Sequence, residues 1–406
     1  MSTRFLAKES SRVLLLPFLL LIINACSEQT SSGSPETAQM ISETSATESI
    51  GYKRINTTNE DDPLDTHIYE LDNGLRVYLT ENHEEPRFYA EIAVRAGSKH
   101  DPADATGLAH YLEHLLFKGN QRLGTLDYQA EKPYLDRIVE LYEEHFRETD
   151  DVRRAEIYAE INSVAQQAAE YAIPNEIDKL YNSMGGTALN AHTWYEETVY
   201  KVGLPSNRLK QWAELESDRF VDPVFRLFHT ELETVYEEKN RTLDNGGRII
   251  GTAVDELLWK IHPYGQQPTI GTIDHLKNPS LIYIQNYFNT YYVPNNMGVF
   301  ISGDIDIEET IELINEKFGH WESGIIPEIG PWDEPPLQNA ERRTVQYPGE
   351  EQVQIAFRTA GNASSDKEGL ILVDMILDNS RAGLINLNLN QQQLVTNAGS
   401  SPPFSQ

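Results

Sequence analysis

The chain has 406 residues, which is enough for one large domain or two ordinary ones. Its 63 acidic residues against 33 basic ones give a formal net charge of −30. This excess argues against a nucleic-acid partner, because phosphate contacts need clustered Lys and Arg. The simplest interpretation of the charge is an acidic, solvated surface that keeps the protein soluble.

Residues 1–26 have the pattern of an export signal. Three basic residues precede an apolar run from Val13 to Ile23, which is too short to span a bilayer because a helix needs about 20 residues. The run leads to Cys26, the only cysteine in the chain, and the spacing resembles the signal of bacterial lipoproteins, in which this cysteine is lipidated. The alternative is a plain secretory signal with an incidental Cys26. The sequence predicts a cell-envelope protein whose only membrane attachment is a lipid anchor, with Ser27 favouring the outer membrane facing the periplasm.

Residues 27–60 are rich in Ser, Thr and Glu and predict a disordered tether. A first domain is predicted over residues 61–328. It opens with a hairpin around Asp72-Asn73-Gly74, and Phe88–Arg95 adds a third strand to form an antiparallel meander. A helix follows from Thr106, as its N-cap, to Lys118.

Apolar periodicity predicts two long helices over residues 128–173, joined near Thr149-Asp150. The acid-rich run from Glu131 to Asp151 reads as a solvated helix face. The remaining predicted elements are a short helix after Pro174, a strand–turn–strand over Leu189–Val202, helices over Ser206–Phe220, Thr230–Asp244 and Ile307–Phe318, and a strand over Met297–Ser302.

Prolines at 331, 335 and 336 predict a linker over residues 329–345. Residues 346–406 then read as a partial second domain. A strand is expected over Gln352–Arg358 and a helix over Lys367–Asp378.

The residues that carry chemistry lie inside the helix that begins near Thr106. His110 and His114 are four positions apart and therefore project from one face of a helix. Glu113 lies beside them, and the order His-x-x-Glu-His is a zinc-peptidase motif. A catalytic zinc takes three protein ligands and keeps an open position for water. The sequence predicts that both imidazoles bind one Zn²⁺ and that Glu113 activates the water.

A third ligand is expected from the helix over Thr230–Asp244. Glu231 and Glu238 are seven residues apart, so both lie on one helix face, whereas Glu237 points about 100° away and should be solvated. Geometry leaves Glu231 and Glu238 as equally good ligands.

Several motifs in one order resemble the pitrilysin/insulinase (M16) family of zinc metallopeptidases. After the His-x-x-Glu-His motif come Leu189-Asn190-Ala191-His192-Thr193 with Thr198-Val199-Tyr200, and then the acidic helix from Glu231 to Glu238. Further similar stretches are His262-Pro263-Tyr264-Gly265, Ile270-Gly271-Thr272 and Tyr291-Tyr292-Val293-Pro294-Asn295-Asn296-Met297.

The resemblance implies an α+β fold with a mostly antiparallel sheet covered by helices. It implies that Glu238 is the third zinc ligand, that Glu231 is a supporting acid, and that Glu113 is the general base. Asn190 and Ala191 match the strand that pairs with the substrate backbone. The substrate is then a peptide or an unfolded protein segment. The extra length between His114 and Glu238 falls in the inserted helical hairpin at 128–173.

The family encloses its substrate between two domains of similar size. The residues that follow Val345 are too few for such a second domain. We therefore expect an N-terminal portion of a longer enzyme, or a chain that needs a partner subunit. The alternatives to a zinc endopeptidase are a non-catalytic M16-like subunit that binds peptides or supports an active partner, and an acidic envelope lipoprotein without catalysis.

Overall fold

The computed structural model describes residues 51–57 and 62–401. The export signal and Cys26 lie outside these described residues. Within the predicted tether, Tyr52–Arg54 forms strand β1 and pairs with Tyr69–Leu71, so ordered structure begins earlier than composition predicts. The Tyr52 ring packs edge-on against Tyr69, with 5.9 Å between the ring centroids, and this aromatic contact stabilises the short strand.

The described strands form one mixed sheet. The other strands are β2 (His67–Leu71), β3 (Arg76–Glu81), β4 (Arg87–Val94), β5 (Thr187–Thr193), β6 (Thr198–Pro205) and β7 (Met297–Gly303), in the spatial order β1-β2-β3-β7-β4-β6-β5. Only the β3–β7 pair is parallel. The expected α+β fold with a mostly antiparallel sheet is confirmed.

The predicted meander is wrong in its strand order. The hairpin of β2 and β3 forms around Asp72-Asn73-Gly74 as expected, but β7 lies between β3 and β4. Both neighbours bury alternate residues on the same face as β7, where Val77, Ile92 and Val299 are almost fully buried. Placing the apolar strand β7 between β3 and β4 buries it better than an edge position would, and this gain outweighs the tendency of consecutive strands to pair.

Helices pack against the sheet and against one another. They are α1 (Leu108–Leu115), α2 (Tyr128–Arg147), α3 (Asp151–Ala169), α4 (Glu176–Ser183), α5 (Leu209–Arg219), α6 (Phe228–Thr242), α7 (Gly246–Leu258), α8 (Pro263–Gln266), α9 (Ile273–Leu276), α10 (Leu281–Tyr291), α11 (Ile307–Phe318) and α12 (Lys367–Leu377). Most predicted helices are found within a few residues. Asn245-Gly246-Gly247, however, both ends α6 and begins α7, because the Asn245 side chain accepts a hydrogen bond from the N–H of Arg248.

The predicted helical hairpin is present as α2 and α3, but its acid-rich run is not a uniformly solvated face. Glu131 is fully buried and pairs with Arg226 at 3.1 Å. Glu143 is also buried, where it accepts hydrogen bonds from the Ser280 hydroxyl and the N–H of Ile282 at the start of α10. Arg226, Ser280 and Ile282 lie far along the chain from these carboxylates, so the local pattern does not reveal the burial.

Residues 352–358 form no strand within the described part of the chain. Val353, Ile355 and Phe357 alternate as a strand would, but they are 88%, 75% and 78% exposed. A strand needs a hydrogen-bonded neighbour, and none lies beside this segment among the described residues. The expected helix after it is present as α12. The division into domains at 329–345 stays a prediction.

Among the described residues, we find no helix with the length and apolar character needed to cross a bilayer.

The buried Arg226–Glu131 pair supports the chain just before α6. Besides Glu131, the Arg226 guanidinium donates to the carbonyls of Lys118, Asn120 and Leu123, which belong to the loop that follows α1. Arg226 therefore joins the insertion, the end of the α1 segment and the start of α6.

We expect Glu131→Gln to lower the free energy of unfolding by about 3 kcal/mol, because the Arg226 charge would remain buried without its counter-ion. The matched control is Glu140→Gln on the same helix, whose side chain is 66% exposed and which should change stability by less than about 0.5 kcal/mol. Urea denaturation of both variants measures the difference. Equal stabilities would show that the buried pair contributes nothing.

Candidate metal centre

The helix that carries the two histidines is capped by a residue outside it. Asp101 is buried, and its carboxylate accepts hydrogen bonds from the N–H groups of Gly107 at 2.7 Å and Ala109 at 2.9 Å. These N–H groups lie at the start of α1 and have no partner within the helix, so the Asp101 side chain satisfies them.

Thr106 is not the N-cap that the sequence predicts. Its hydroxyl bonds to Nδ1 of His275 at 2.7 Å and accepts from the N–H of Thr272, and α1 begins two residues later. Gly107 adopts a left-handed φ of 88° directly before the helix, and a Cβ there would lie 2.8 Å from Cα of Gly271. The loop that contains Gly271 and Thr272 lies so close that the Thr106 side chain bonds to it and not to the start of α1. Asp101 therefore caps the helix.

Helix α6 is held against α1 by a buried contact near its own start. The Tyr111 hydroxyl donates to the carbonyl of Phe228 at 2.5 Å, and the two rings pack with 4.7 Å between their centroids. On the same helix, Leu112 and Leu115 are fully buried in the core. The contact sets the rotation of α6 that turns its acidic face toward the histidines.

His110, His114 and Glu238 meet at one point. Nε2 of each histidine lies 3.7 Å from Oε2 of Glu238, and one donor atom from each residue lies within 4.8 Å of the others. Tetrahedral ligands about 2.0–2.1 Å from zinc have donor atoms about 3.4 Å apart. Two imidazoles and a carboxylate are a donor set that zinc takes, and their donor atoms would need to approach one another by no more than about 1.4 Å to share one ion.

The cluster is buried on the histidine side and open on the carboxylate side. The side chains of His110 and His114 are 11% and 22% exposed, whereas that of Glu238 is 46% exposed. The neighbouring Glu237 is exposed, as its position on the helix predicts. Water or a peptide can therefore approach the cluster from the side of Glu238.

The two histidines have opposite electrostatic settings. Burial lowers the pKa of His110 to about 3, and the charges of His114 and Arg248 act in the same direction. Burial also disfavours the charged form of His114, but the hydrogen bond and charge of Glu231 outweigh it and raise the pKa of His114. His110 is thus already in the neutral form that a metal ligand needs, while His114 holds its proton more firmly.

Glu231 fixes the orientation of His114. Its carboxylate lies 2.7 Å from Nδ1 of His114, and Nζ of Lys118 lies 2.5 Å from its other oxygen. Since a carboxylate only accepts, Nδ1 of His114 carries the hydrogen and Nε2 is left for a metal. Sequence reasoning names Glu231 as a supporting acid but misses Lys118, although its spacing of four residues from His114 places it on the same face.

Glu113 is buried next to His114 on α1. The Thr193 hydroxyl donates to Oε2 of Glu113 at 2.6 Å. Burial raises the pKa of Glu113, and the bond from Thr193 offsets part of this effect. A carboxylate with a raised pKa is a stronger proton acceptor near neutral pH, which suits a general base.

Asn190 and Ala191 lie on β5, the last strand in the order of the described sheet. They pair with Lys201 and Tyr200 of β6, and no described strand lies on their other side. Helix α1 packs against β5, so this edge runs past the helix that carries the histidines. His192, between Ala191 and Thr193, is 42% exposed and faces Glu197, so it lies apart from the ligand cluster.

Two family models match parts of the chain. Residues 76–132 match the one described as Insulinase (Peptidase family M16), and residues 283–405 match the one described as Peptidase M16 inactive domain. The first match contains the His-x-x-Glu-His motif.

Similar curated proteins are longer than this chain. The chain is 26% identical over 268 residues to the probable zinc protease PqqL of Haemophilus influenzae, which covers 64% of this chain and 24% of that protein. It is 23% identical over 260 residues to the probable mitochondrial-processing peptidase subunit beta of Arabidopsis thaliana, covering 63% and 39% of the two chains. The chain thus spans about a quarter to two fifths of these relatives.

Solved structures share the fold. A protease from Helicobacter pylori superposes with a TM-score of 0.62 at 20% identity, covering 83% of this chain and 71% of that chain. Pitrilysin superposes with a TM-score of 0.50 at 20% identity, covering 69% and 26% of the two chains.

We expect Asp101→Ala to lower the free energy of unfolding by about 2–3 kcal/mol, because two buried N–H groups at the start of α1 lose their acceptor. Asp104→Ala is the control, since this acid lies exposed in the same loop. Chemical denaturation compares the two variants. If Asp101→Ala is no less stable than Asp104→Ala, the capping role assigned to Asp101 is wrong.

Proposed function

We propose that the chain, which matches two models of the M16 peptidase family over residues 76–132 and 283–405, is a zinc-dependent endopeptidase that cleaves peptides or unfolded protein segments. The observation that carries this proposal is the convergence of His110, His114 and Glu238, with Nε2 of each histidine 3.7 Å from the same carboxylate oxygen. The relatives named zinc proteases support it.

In this proposal the chain's own residues divide the chemistry among them. When bound, zinc lowers the pKa of a coordinated water to about 7 and polarises the scissile carbonyl. Glu113 accepts the proton of the attacking water and then passes it to the leaving nitrogen, in the ordinary sequence of general base and general acid. His110, His114 and Glu238 hold the ion, and Glu231 holds His114 in the tautomer that ligation requires.

The substrate is proposed to bind as an added strand on β5. The open edge at Asn190 and Ala191 presents backbone N–H and C=O groups to an extended peptide. Folded proteins hide such backbone groups in their own structure, so peptides and unfolded segments are the substrates that fit.

We also propose that the protein acts in the cell envelope, anchored through Cys26. The sequence before residue 27 supports this location, and a structural neighbour with a TM-score of 0.50 is described as a periplasmic protease.

A non-catalytic subunit is the second candidate function. The match of residues 283–405 to a domain described as inactive favours it. The complete set of ligands and base favours the enzyme. Zinc content measured together with cleavage of a quenched peptide separates the two, since a non-catalytic subunit cleaves nothing.

We expect Glu113→Gln to keep stoichiometric zinc and to lose at least about 100-fold in kcat, because the amide cannot accept the proton of water. His110→Ala should lose both zinc and hydrolysis. Metal analysis and a quenched-peptide assay measure the two properties. Glu237→Gln, on the exposed face of the same helix as Glu238, is the control and should keep both. Retained hydrolysis in Glu113→Gln would refute the role of Glu113 as the base.

Zinc binding should release a proton near pH 6, and the proton should come from His114. Because the pKa of His114 in the metal-free protein is raised above 6.5, His114 is protonated there and must lose that proton to bind. His110, with a pKa of about 3, has none to lose. The apparent zinc affinity should therefore fall about tenfold for each unit of pH below the pKa of His114.

Calorimetric titration in two buffers of different ionisation enthalpy measures this proton. His83→Asn is the control, because His83 lies exposed between Glu81 and Asp304 and should leave the number of released protons unchanged. An observed enthalpy that does not depend on the buffer would contradict the prediction.

A further inference from the structure

The carboxylate of Glu113 has one hydrogen-bond donor whose direction is fixed. The Thr193 hydroxyl lies 2.6 Å from Oε2 of Glu113 and 3.4 Å from the hydroxyl of Thr198. The Thr198 hydroxyl in turn lies 3.0 Å from the carbonyl of Ala96, to which it donates. An ionised carboxylate and a carbonyl can only accept, so Thr193 donates to Glu113 and Thr198 donates to Ala96.

Backbone hydrogen bonds fix the position of Thr193. The turn that follows it is bound to the loop before α1, because the N–H groups of Ser98 and Lys99 donate to the carbonyls of Trp194 and Tyr195 at 2.9 Å. Thr193 and Thr198 are both buried, and they pair directly across the β5–β6 ladder. A donor fixed in this way orients its acceptor instead of following it.

We propose that Thr193 is a positioning residue, which holds one oxygen of Glu113 so that the other faces the attacking water. This inference rests on the proposed function and extends it, because nothing in the zinc ligation itself requires a hydroxyl at position 193. A carboxyl group that cannot rotate accepts the proton from water and delivers it to the leaving nitrogen from the same oxygen.

The same residue joins the base to the edge strand. Thr193 is the last residue of β5, the strand on which the proposed peptide adds through Asn190 and Ala191. The strand that holds the substrate backbone therefore also holds the base, so the distance between the scissile bond and Glu113 is set within one β-strand and not across a flexible loop.

The test compares Thr193→Val, which keeps the shape and removes the hydroxyl, with Thr193→Ser, which keeps the hydroxyl. We expect Thr193→Val to lower kcat about 10- to 100-fold with KM changed less than about twofold, because it removes a hydrogen bond to a charged group that acts in the chemical step. Thr193→Ser should recover kcat to within about threefold of wild type.

Two further measurements do not depend on turnover. Zinc stoichiometry, and the Kd of an uncleaved peptide for the metal-free protein, should be the same in Thr193→Val and wild type. Thr310→Val is the matched control, because Thr310 is a buried threonine on α11 whose hydroxyl donates to the carbonyl of Asp306 at the start of that helix, and the kcat of this variant should equal that of wild type.

The possible failures are distinguishable. A wild-type chain that binds no zinc and cleaves nothing overturns the proposed function, and the role of Thr193 with it. If wild type is active and Thr193→Val has an unchanged kcat, the positioning role is refuted while the peptidase stands. A raised KM or peptide Kd with unchanged kcat would instead show that Thr193 acts on the substrate strand alone, which also refutes it.

Discussion

The packing of α6 against α1 is the constraint on which the candidate site depends. Two histidines four residues apart share a helix face wherever a helix forms, but Glu238 can join them only if α6 has one rotation and one depth. Both are set at its start, where Phe228 accepts the Tyr111 hydroxyl and Arg226 binds Glu131 and three loop carbonyls. About three helical turns then carry this alignment along the helix to Glu238.

These anchors are buried polar groups, and burial raises the free-energy cost of losing any of their partners. A buried charge or N–H without a partner costs several kcal/mol, so a displaced helix would lose far more than contact area. The same burial acts on the chemistry in two directions. It disfavours the charged form of His110, which suits a metal ligand, and it disfavours the ionised form of Glu113, which makes that carboxylate a better proton acceptor.

Sequence reasoning succeeds where the determinant is local and fails where it is distant. The spacing of His110 and His114, the hairpin turn before Leu75 and the helix over Ile307–Phe318 all follow from residues within one or two turns. The place of β7 between β3 and β4, the capping of α1 by Asp101 and the burial of Glu131 follow from partners that folding brings together. Geometry alone also left Glu231 and Glu238 equivalent. The structure separates them, since Glu231 contacts Nδ1 of His114 and Lys118, whereas Glu238 faces Nε2 of both histidines.

Thr193 shows that a motif can be recognised in a sequence while the contact made by one of its side chains stays hidden. It stands in the stretch Leu189–Thr193 that resembles the family, yet nothing in that stretch says which side chain reaches Glu113, eighty residues earlier. Strand alternation gives the answer only once the sheet is known, because Thr193 turns toward the buried side while Asn190 stays exposed at the edge. On the proposed function, one strand then serves two purposes without conflict: its backbone edge binds an extended peptide, and its buried side chain supports the base. On the proposed function, recognition through backbone groups makes the enzyme tolerant of substrate sequence, so its selectivity would rest on whether a segment can become extended.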